Sequence, residues 1–333
     1  MPPRSLAAVT ELNTESARTY LRTRLGALPA SLTVTAPGGG VSNVVLLVES
    51  EQERFILKQA LAKLRVHDDW FSDRDRIFRE STALRRLNRL LPEGAIPRVL
   101  FEDRANYLFA MSAAPRGAPT WKDQLMAGHI DPETAAEVAR LLGALMAGTW
   151  NRAEYRDAFG DQTVFDQLRI DPYYRTTVSR HPDLGDFFAD LIRESGARRV
   201  AVVHGDWSPK NILVSGDRVM VIDFEVVHFG DPAFDAAFLL NHLLIKSVYL
   251  AHWRSELLGA ALRFWTGLRA SLPAEAAWFE SATIRHLGAL LLARVDGKSP
   301  VEYVEDEAMK QQLRGLARRL ILEPPRSVAE VFA

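Results

Sequence analysis

The chain has 333 residues, 47% of them hydrophobic and 25% charged, with a formal net charge of −1 and no cysteine. This composition suits a globular protein with room for two lobes; it excludes disulfides and cysteine-ligated metals. The balanced charge gives no basis for a nucleic-acid partner. The most apolar stretch, 233–245, is interrupted by Asp235, Asn241 and His242, short of the ~20 apolar residues a membrane span needs. The start, Met1-Pro2-Pro3-Arg4, lacks the apolar core of a signal peptide. The expectation is a cytoplasmic protein without a membrane partner, monomeric or homodimeric.

Residues 6–26 read as a helix, with Asn13-Thr14 as its cap and Ala17, Tyr20, Leu21 and Leu25 on one face. Segments 32–35, 43–48 and 54–59 are rich in Val, Leu and Ile and read as strands. An amphipathic helix over 74–91 and strands over 98–101 and 106–111 follow. Together they predict a five-stranded antiparallel sheet with one main helix and an N-terminal helical extension. The Pro/Gly/Ala stretch 113–119 reads as a linker. Beyond it helices dominate: 132–149, 233–246, 256–265, 278–292 and 305–322. Two short strands, 199–203 and 219–222, interrupt them in a hairpin-like way. The fold class is α+β and bilobed: a nucleotide-binding lobe over 1–112, a linker over 113–120, and a helical lobe over 121–333 with the catalytic loop and acceptor site.

The chemistry concentrates in residues 203–211, Val-His-Gly-Asp-Trp-Ser-Pro-Lys-Asn, and in Val-Ile-Asp-Phe-Glu ending at Glu225. Strand 199–203 delivers Asp206, Asn211 returns after one loop turn, and the next strand delivers Asp223. Either acid alone would be a turn or a strand-end carboxylate. The joint spacing is the layout of a phosphoryl-transfer loop, with one carboxylate to take a hydroxyl proton and an amide and a carboxylate to hold Mg²⁺. Upstream, Gly38, Gly39, Gly40, Ser42 and Asn43 lie between two strands, where backbone amides approach phosphates closely. Lys58 ends the apolar run Phe55-Ile56-Leu57; in this chemistry it contacts phosphates and needs a carboxylate from the next helix, for which Glu80 is the candidate, while a sheet-edge charge for Lys58 and an intrahelical pair with Arg76 or Arg79 for Glu80 are the plain alternatives. Met111, Ser112 and Ala114 follow the fifth strand, in position to offer backbone groups to a purine, so ATP and GTP both remain open. His204 and Asp235 read as structural support. Trp207 reads as packing.

His204-Gly205-Asp206-x-x-Pro209-x-Asn211-Ile212-Leu213, Ile222-Asp223-Phe224-Glu225 and Gly230-Asp231-Pro232-x-x-Asp235 resemble the aminoglycoside phosphotransferase and choline kinase superfamily. The resemblance implies a protein-kinase-like fold, ATP or GTP with Mg²⁺, and a small-molecule hydroxyl acceptor: a sugar, a polyol or an aminoglycoside-like compound. It makes Asp206 the base, Asn211 and Asp223 the metal ligands and Lys58 the phosphate contact. Glu225 stands where protein kinases place Gly, and no long activation segment precedes Asp231, which argues against a protein substrate. The Asp-Phe-Glu run and the later Arg294, Asp296 and Lys298 are similar to methylthioribose kinases, although those enzymes usually carry Ser where this chain has Asn211. Glu225, His228, Arg294 and Lys298 are the candidate acceptor contacts, with a charged helix end as the plain alternative for the last two. An antibiotic kinase would want an acidic pocket for a polycation. The reading from another class is an inactive nucleotide-binding scaffold, whose usual mark is loss of a base, metal ligand or Lys.

Overall fold

A five-stranded antiparallel sheet forms early in the chain: β1 (Thr33–Thr35), β2 (Asn43–Glu49), β3 (Arg54–Ala60), β4 (Val99–Asp103) and β5 (Leu108–Ser112) stand in the order β1-β2-β3-β5-β4. These coordinates are a computed structural model describing residues 11–37, 43–62 and 73–332. The chain separates into two units, one of Met1–Asn88 with Pro97–Pro115, the other of Arg89–Ile96 with Arg116–Ala333.

In the first unit, period-two burial places Val44, Leu46 and Val48 of β2 beside Phe55 and Leu57 of β3 in one apolar cluster with Ala17 and Leu21. The helix Thr14–Leu25 starts later than its sequence pattern suggests. Asn13 accepts from the amides of Glu15 and Ser16 at 3.0 and 2.8 Å, while Ser16 Oγ accepts from the Asn13 amide, a reciprocal cap that fixes the first turn. The helix Arg76–Leu87 buries Ile77, Phe78, Leu84 and Leu87. It stops short of 91 because the Asn88 side-chain amide donates to the carbonyls of Leu84 and Pro97, at 2.9 and 2.8 Å. Strand β3 is central, so Lys58 stands between Val45 and Phe109 rather than at a sheet edge.

The second unit is built around the helix Ala233–Tyr249, in which every residue but Tyr249 is buried. The helices Arg254–Arg269 and Phe279–Asp296 pack on it, and Pro132–Thr149 and Glu307–Leu322 pack on those. The two strands expected to flank the catalytic loop do not pair with each other, which corrects the hairpin reading. Strand β6 (Ala201–Val203) pairs with β9 (His228–Gly230), and β7 (Ile212–Ser215) pairs with β8 (Arg218–Val221). Gly216, at φ 61°, lets β7 and β8 close as their own hairpin, and three residues in β9 are too few for periodicity to betray. Segment Arg89–Ile96 joins this unit, although the sequence placed it in the lobe over 1–112. The Ala95 carbonyl accepts from the Val221 amide at 2.8 Å. Leu90 fills the space beside Gly148, where an added Cβ would sit 2.2 Å from Leu90 Cδ1. Asp166–Arg175 is a π-helical segment with Pro172 inside it, whose missing N–H disfavours the tighter α ladder. Among the described residues no single helix is long and apolar enough to cross a membrane.

Candidate active site

Strand β6 runs into His204-Gly205-Asp206, and the start of the helix Ala233–Tyr249 holds that turn. Asp235 Oδ2 accepts from the His204 amide at 2.6 Å and Oδ1 from the Gly205 amide at 2.8 Å. Gly205 has φ 79°, and a Cβ there would meet Val226 Cγ1 at 2.9 Å and the Val226 carbonyl at 3.1 Å. The buried His204 ring has a fixed tautomer. Nδ1 accepts from the Asp206 amide at 3.1 Å, so Nε2 carries the proton and donates to the Ile222 carbonyl at 3.1 Å. Burial pushes its pKa down to about 4, in keeping with a neutral ring. Trp207 is fully buried and meets the His204 ring edge-on, as a packing residue.

Asp206 is buried, and its carboxylate faces two cations. Arg169 Nη2 and Lys210 Nζ each stand 3.0 Å from Oδ2, and Ser208 Oγ donates to Oδ1 at 3.3 Å. Burial raises the pKa of this group, but Lys210 and Arg169 outweigh it and hold the carboxyl well below its ordinary value. Asp206 is therefore ionised throughout the neutral range. Arg169 also donates from Nε to the Gly205 carbonyl at 2.5 Å, so one guanidinium fixes both the loop backbone and the acid. Sequence reasoning missed Arg169, because neither arginine of 166–175 stands in a motif. Lys210 stands inside the motif itself, four residues after Asp206, where that spacing was the available signal.

Asn211 Nδ2 donates to the Asp206 carbonyl at 3.0 Å, leaving Oδ1 as the acceptor end of that amide. The Asn211 carbonyl accepts from the Ile222 amide at 2.9 Å, which ties the loop to the residue before Asp223. Asp223 is half-buried and takes a left-handed backbone, φ 71° and ψ 58°, a conformation uncommon outside Gly, Asn and Asp and often found at functional positions. Glu225 is buried in the short turn that follows.

Asp206 lines a cavity of about 170 Å³ with Lys122, Tyr173, Lys210, His242, Lys246, Arg294, Glu302 and Tyr303. Of the four acceptor candidates read from sequence, only Arg294 lies there. His228 is a correction: it stacks on Phe165, with ring centroids 3.9 Å apart, and lines a separate cavity of about 470 Å³ with Gln162 and Asp231. Strand β9 pairs with β6, with His228 opposite Val203. Lys298 is a second correction. Its backbone amide is drawn to the Pro172 carbonyl at 2.9 Å beyond the helix end, outside the Asp206 cavity. Glu225 is likewise outside the lining and bears on the site through its charge near Arg169.

In the first unit, Lys58 Nζ donates to Glu80 Oε1 and Oε2 at 2.9 and 2.7 Å, with both side chains buried. Asn43 is buried at the first position of β2, while Gly38, Gly39, Gly40 and Ser42 lie outside the described residues. Met111 sits inside the sheet between Ile56 and Val99. The Ser112 amide donates to the Arg98 carbonyl at 2.8 Å, and the Ala114 carbonyl accepts from the Arg54 guanidinium. These backbone groups are thus engaged within the unit.

Comparison with known proteins gives the same direction. Methylthioribose kinase 2 of rice is 29% identical over 253 residues, 68% of this chain and 59% of that protein. Methylthioribose kinase of Escherichia coli is 27% identical over 268 residues, 70% of this chain and 64% of that protein. The match thus spans about three-fifths of the length of these curated relatives. Among solved structures, an ethanolamine kinase of Plasmodium vivax superposes with a TM-score of 0.59 at 14% identity, covering 90% of this chain and 86% of that one; at that identity the likeness establishes the kinase-like fold alone. Residues 33–279 match the model of the phosphotransferase enzyme family, and by that match the chain belongs to this family.

Proposed function

We propose that this chain is a small-molecule kinase that moves the γ-phosphoryl group of ATP to an alcohol. The observation that carries the reading is the ionised Asp206, fixed by Arg169, Lys210 and the His204 turn at the wall of a small cavity. In the step, the acceptor oxygen bonds to the γ-phosphorus, the bond from phosphorus to the bridging oxygen of ADP breaks, and the hydroxyl proton passes to Asp206. A carboxylate held this low is a weak base, which suits a loose transition state in which orientation matters more than early deprotonation.

Asn211 and Asp223 supply the kind of donors Mg²⁺ prefers. Among the described residues no group of three His, Asp or Glu side chains gathers to hold an ion unaided. A neutral amide oxygen and one carboxylate suit an ion that keeps waters and phosphate oxygens as its other ligands. When bound, Mg²⁺ neutralises charge on the phosphates. Lys58, oriented by Glu80, would contact the α- and β-phosphates. GTP fits the same phosphate chemistry. The likeness to methylthioribose kinases supports a sugar-like alcohol as acceptor.

The test is ADP release from a panel of sugars, polyols and aminoglycosides, with Asp206→Asn beside the wild type. Turnover should fall by roughly 10²- to 10⁴-fold while ATP still raises the melting temperature. An absence of ADP release with every acceptor, accompanied by intact nucleotide binding, would favour an inactive scaffold.

A further inference from the structure

The cavity beside Asp206 carries more positive charge than its own carboxylates balance. Of its cations, Lys122 pairs with Glu302, and Lys210 pairs with Asp206, which Arg169 also holds. Lys246 and Arg294 line the same cavity, and among the described residues neither has a carboxylate partner. Among the described residues, Lys246 Nζ hydrogen-bonds only to the Tyr303 hydroxyl, at 3.3 Å. Arg294 Nη1 donates to the Ser299 carbonyl at 2.5 Å, to Ser299 Oγ at 3.2 Å and to the Tyr173 hydroxyl at 3.4 Å. Among the described residues its buried Nε has no hydrogen-bond partner, nor has Nε2 of His242 on the same wall. Arg294 is 8% exposed and His242 6%. Buried donors left unpaired are costly and rare in native proteins, and the carboxylate that acts on both Lys246 and Arg294, Glu302, is already paired with Lys122. Burial, with Lys122 and Arg294 nearby, outweighs the pull of Glu302 and lowers Lys246 to about 7.

We propose that the acceptor carries an oxyanion, a carboxylate or a phosphate monoester, that docks on Lys246 and Arg294 while its hydroxyl meets Asp206. This rests on the phosphotransfer reading above and names the substrate class of that site. The cavity of about 170 Å³ suits a compact hydroxy acid or a sugar bearing one charged group. It does not suit a polycation, because the acidic lining expected for an aminoglycoside is replaced here by Lys122, Lys246 and Arg294. His242 adds a neutral ring, pushed well below its ordinary pKa by burial and by Arg294 and Lys246; it is a further donor to the same oxyanion when Nε2 carries the proton.

The experiment measures ADP release with matched acceptors: ribose, ribonate and ribose phosphate, then glycerol, glycerate and glycerol phosphate. The anionic member of a set should have a KM roughly 10- to 100-fold below its neutral counterpart, the scale of a charge-assisted hydrogen bond. The acid and phosphate arms distinguish the two oxyanions. Lys246→Met, which keeps chain length inside the helix, should erase that advantage and leave the KM for ATP unchanged. Arg294→Lys, which retains the charge, should lose only part of it. Neutral acceptors turned over as well as anionic ones, with Lys246→Met indifferent, would overturn the proposal and leave phosphotransfer standing. If no acceptor yields ADP, the phosphotransfer reading fails, and calorimetric titration of glycerate and inorganic phosphate decides the cavity separately. Binding lost in Lys246→Met sustains it; no binding, or binding unchanged in the variant, overturns it.

Discussion

The carboxylate of Asp235 holds His204 by its backbone, Oδ2 accepting the His204 amide at 2.6 Å while Oδ1 takes the neighbouring Gly205 amide at 2.8 Å. A buried helix start thereby fixes the loop that presents Asp206. Asp235→Asn keeps the shape and replaces one acceptor with a donor, so one of the two amides loses its partner. The expected cost is about 1–3 kcal/mol, read from denaturant unfolding, together with a fall in kcat larger than any change in the KM for ATP.

That cost should depend on pH with a definite sign. Burial raises Asp235 from an ordinary 3.8 to about 7 in the fold. A raised folded pKa gives stability that is fully present below the unfolded value and lost as pH rises through the folded one. The Asp235→Asn penalty should therefore be largest near pH 4 and shrink as pH rises toward 7. His204 runs the other way, since burial lowers it from 6.5 to about 4. Its contribution is complete above 6.5 and disappears as pH falls through about 4. The two slopes oppose each other between pH 4 and 6.5, so removing Asp235 should leave a variant more acid-sensitive than the wild type. Unfolding free energies measured across that window check both signs; a penalty that grows toward pH 7 would refute the assignment.

Gly205→Ala isolates the turn itself. Its φ of 79° strains any L side chain, and the new Cβ would press on the Val226 side chain and carbonyl. A destabilisation of about 1–3 kcal/mol is expected, with activity falling further than stability because Asp206 is the next residue. Wild-type kcat in a stable Gly205→Ala protein would show that the loop tolerates a different path.

Arg169→Lys tests whether charge alone suffices behind Asp206. The guanidinium reaches Asp206 Oδ2, the Gly205 carbonyl and the Leu168 carbonyl at once. A lysine keeps the charge but lacks the rigid fork needed to span them. A roughly 10-fold or greater loss in kcat is expected if the fork positions the acid, with Arg169→Met losing more. Equal activities in Arg169→Lys and the wild type would reduce the residue to a point charge.

The loop and strand end that carry Asp206, Asn211 and Asp223 stood out in the sequence through their short spacings, and such spacings survive without knowledge of packing. The sheet was legible from the runs rich in Val, Leu and Ile in β2 and β3. What the sequence hid was long-range. Arg169 reaches Asp206 from a π-helical segment whose irregularity erases periodicity. Lys246 and His242 sit in a helix buried on all sides, where the apolar run reads as core. Their four-residue spacing does place them on one face, the one signal that pointed toward the cavity. His228 was misplaced because nothing local announces that a three-residue strand will pair with β6.

The Lys58–Glu80 pair lies in the first unit, and its energetics can be tested without an acceptor. Both carboxylate oxygens of Glu80 accept from Lys58 Nζ, and both side chains are buried. Removing one member of a buried ion pair typically costs about 3–5 kcal/mol. Lys58→Met alone and Glu80→Gln alone should each destabilise on that scale. The double variant should cost less than the sum, because the two side chains interact directly. Its ATP affinity should nevertheless stay low, since the ammonium that would meet the phosphates is gone. Unfolding in denaturant gives the first comparison and nucleotide titration the second. A double variant that recovers both stability and ATP affinity would show that the pair serves only the packing of the helix Arg76–Leu87 on β3.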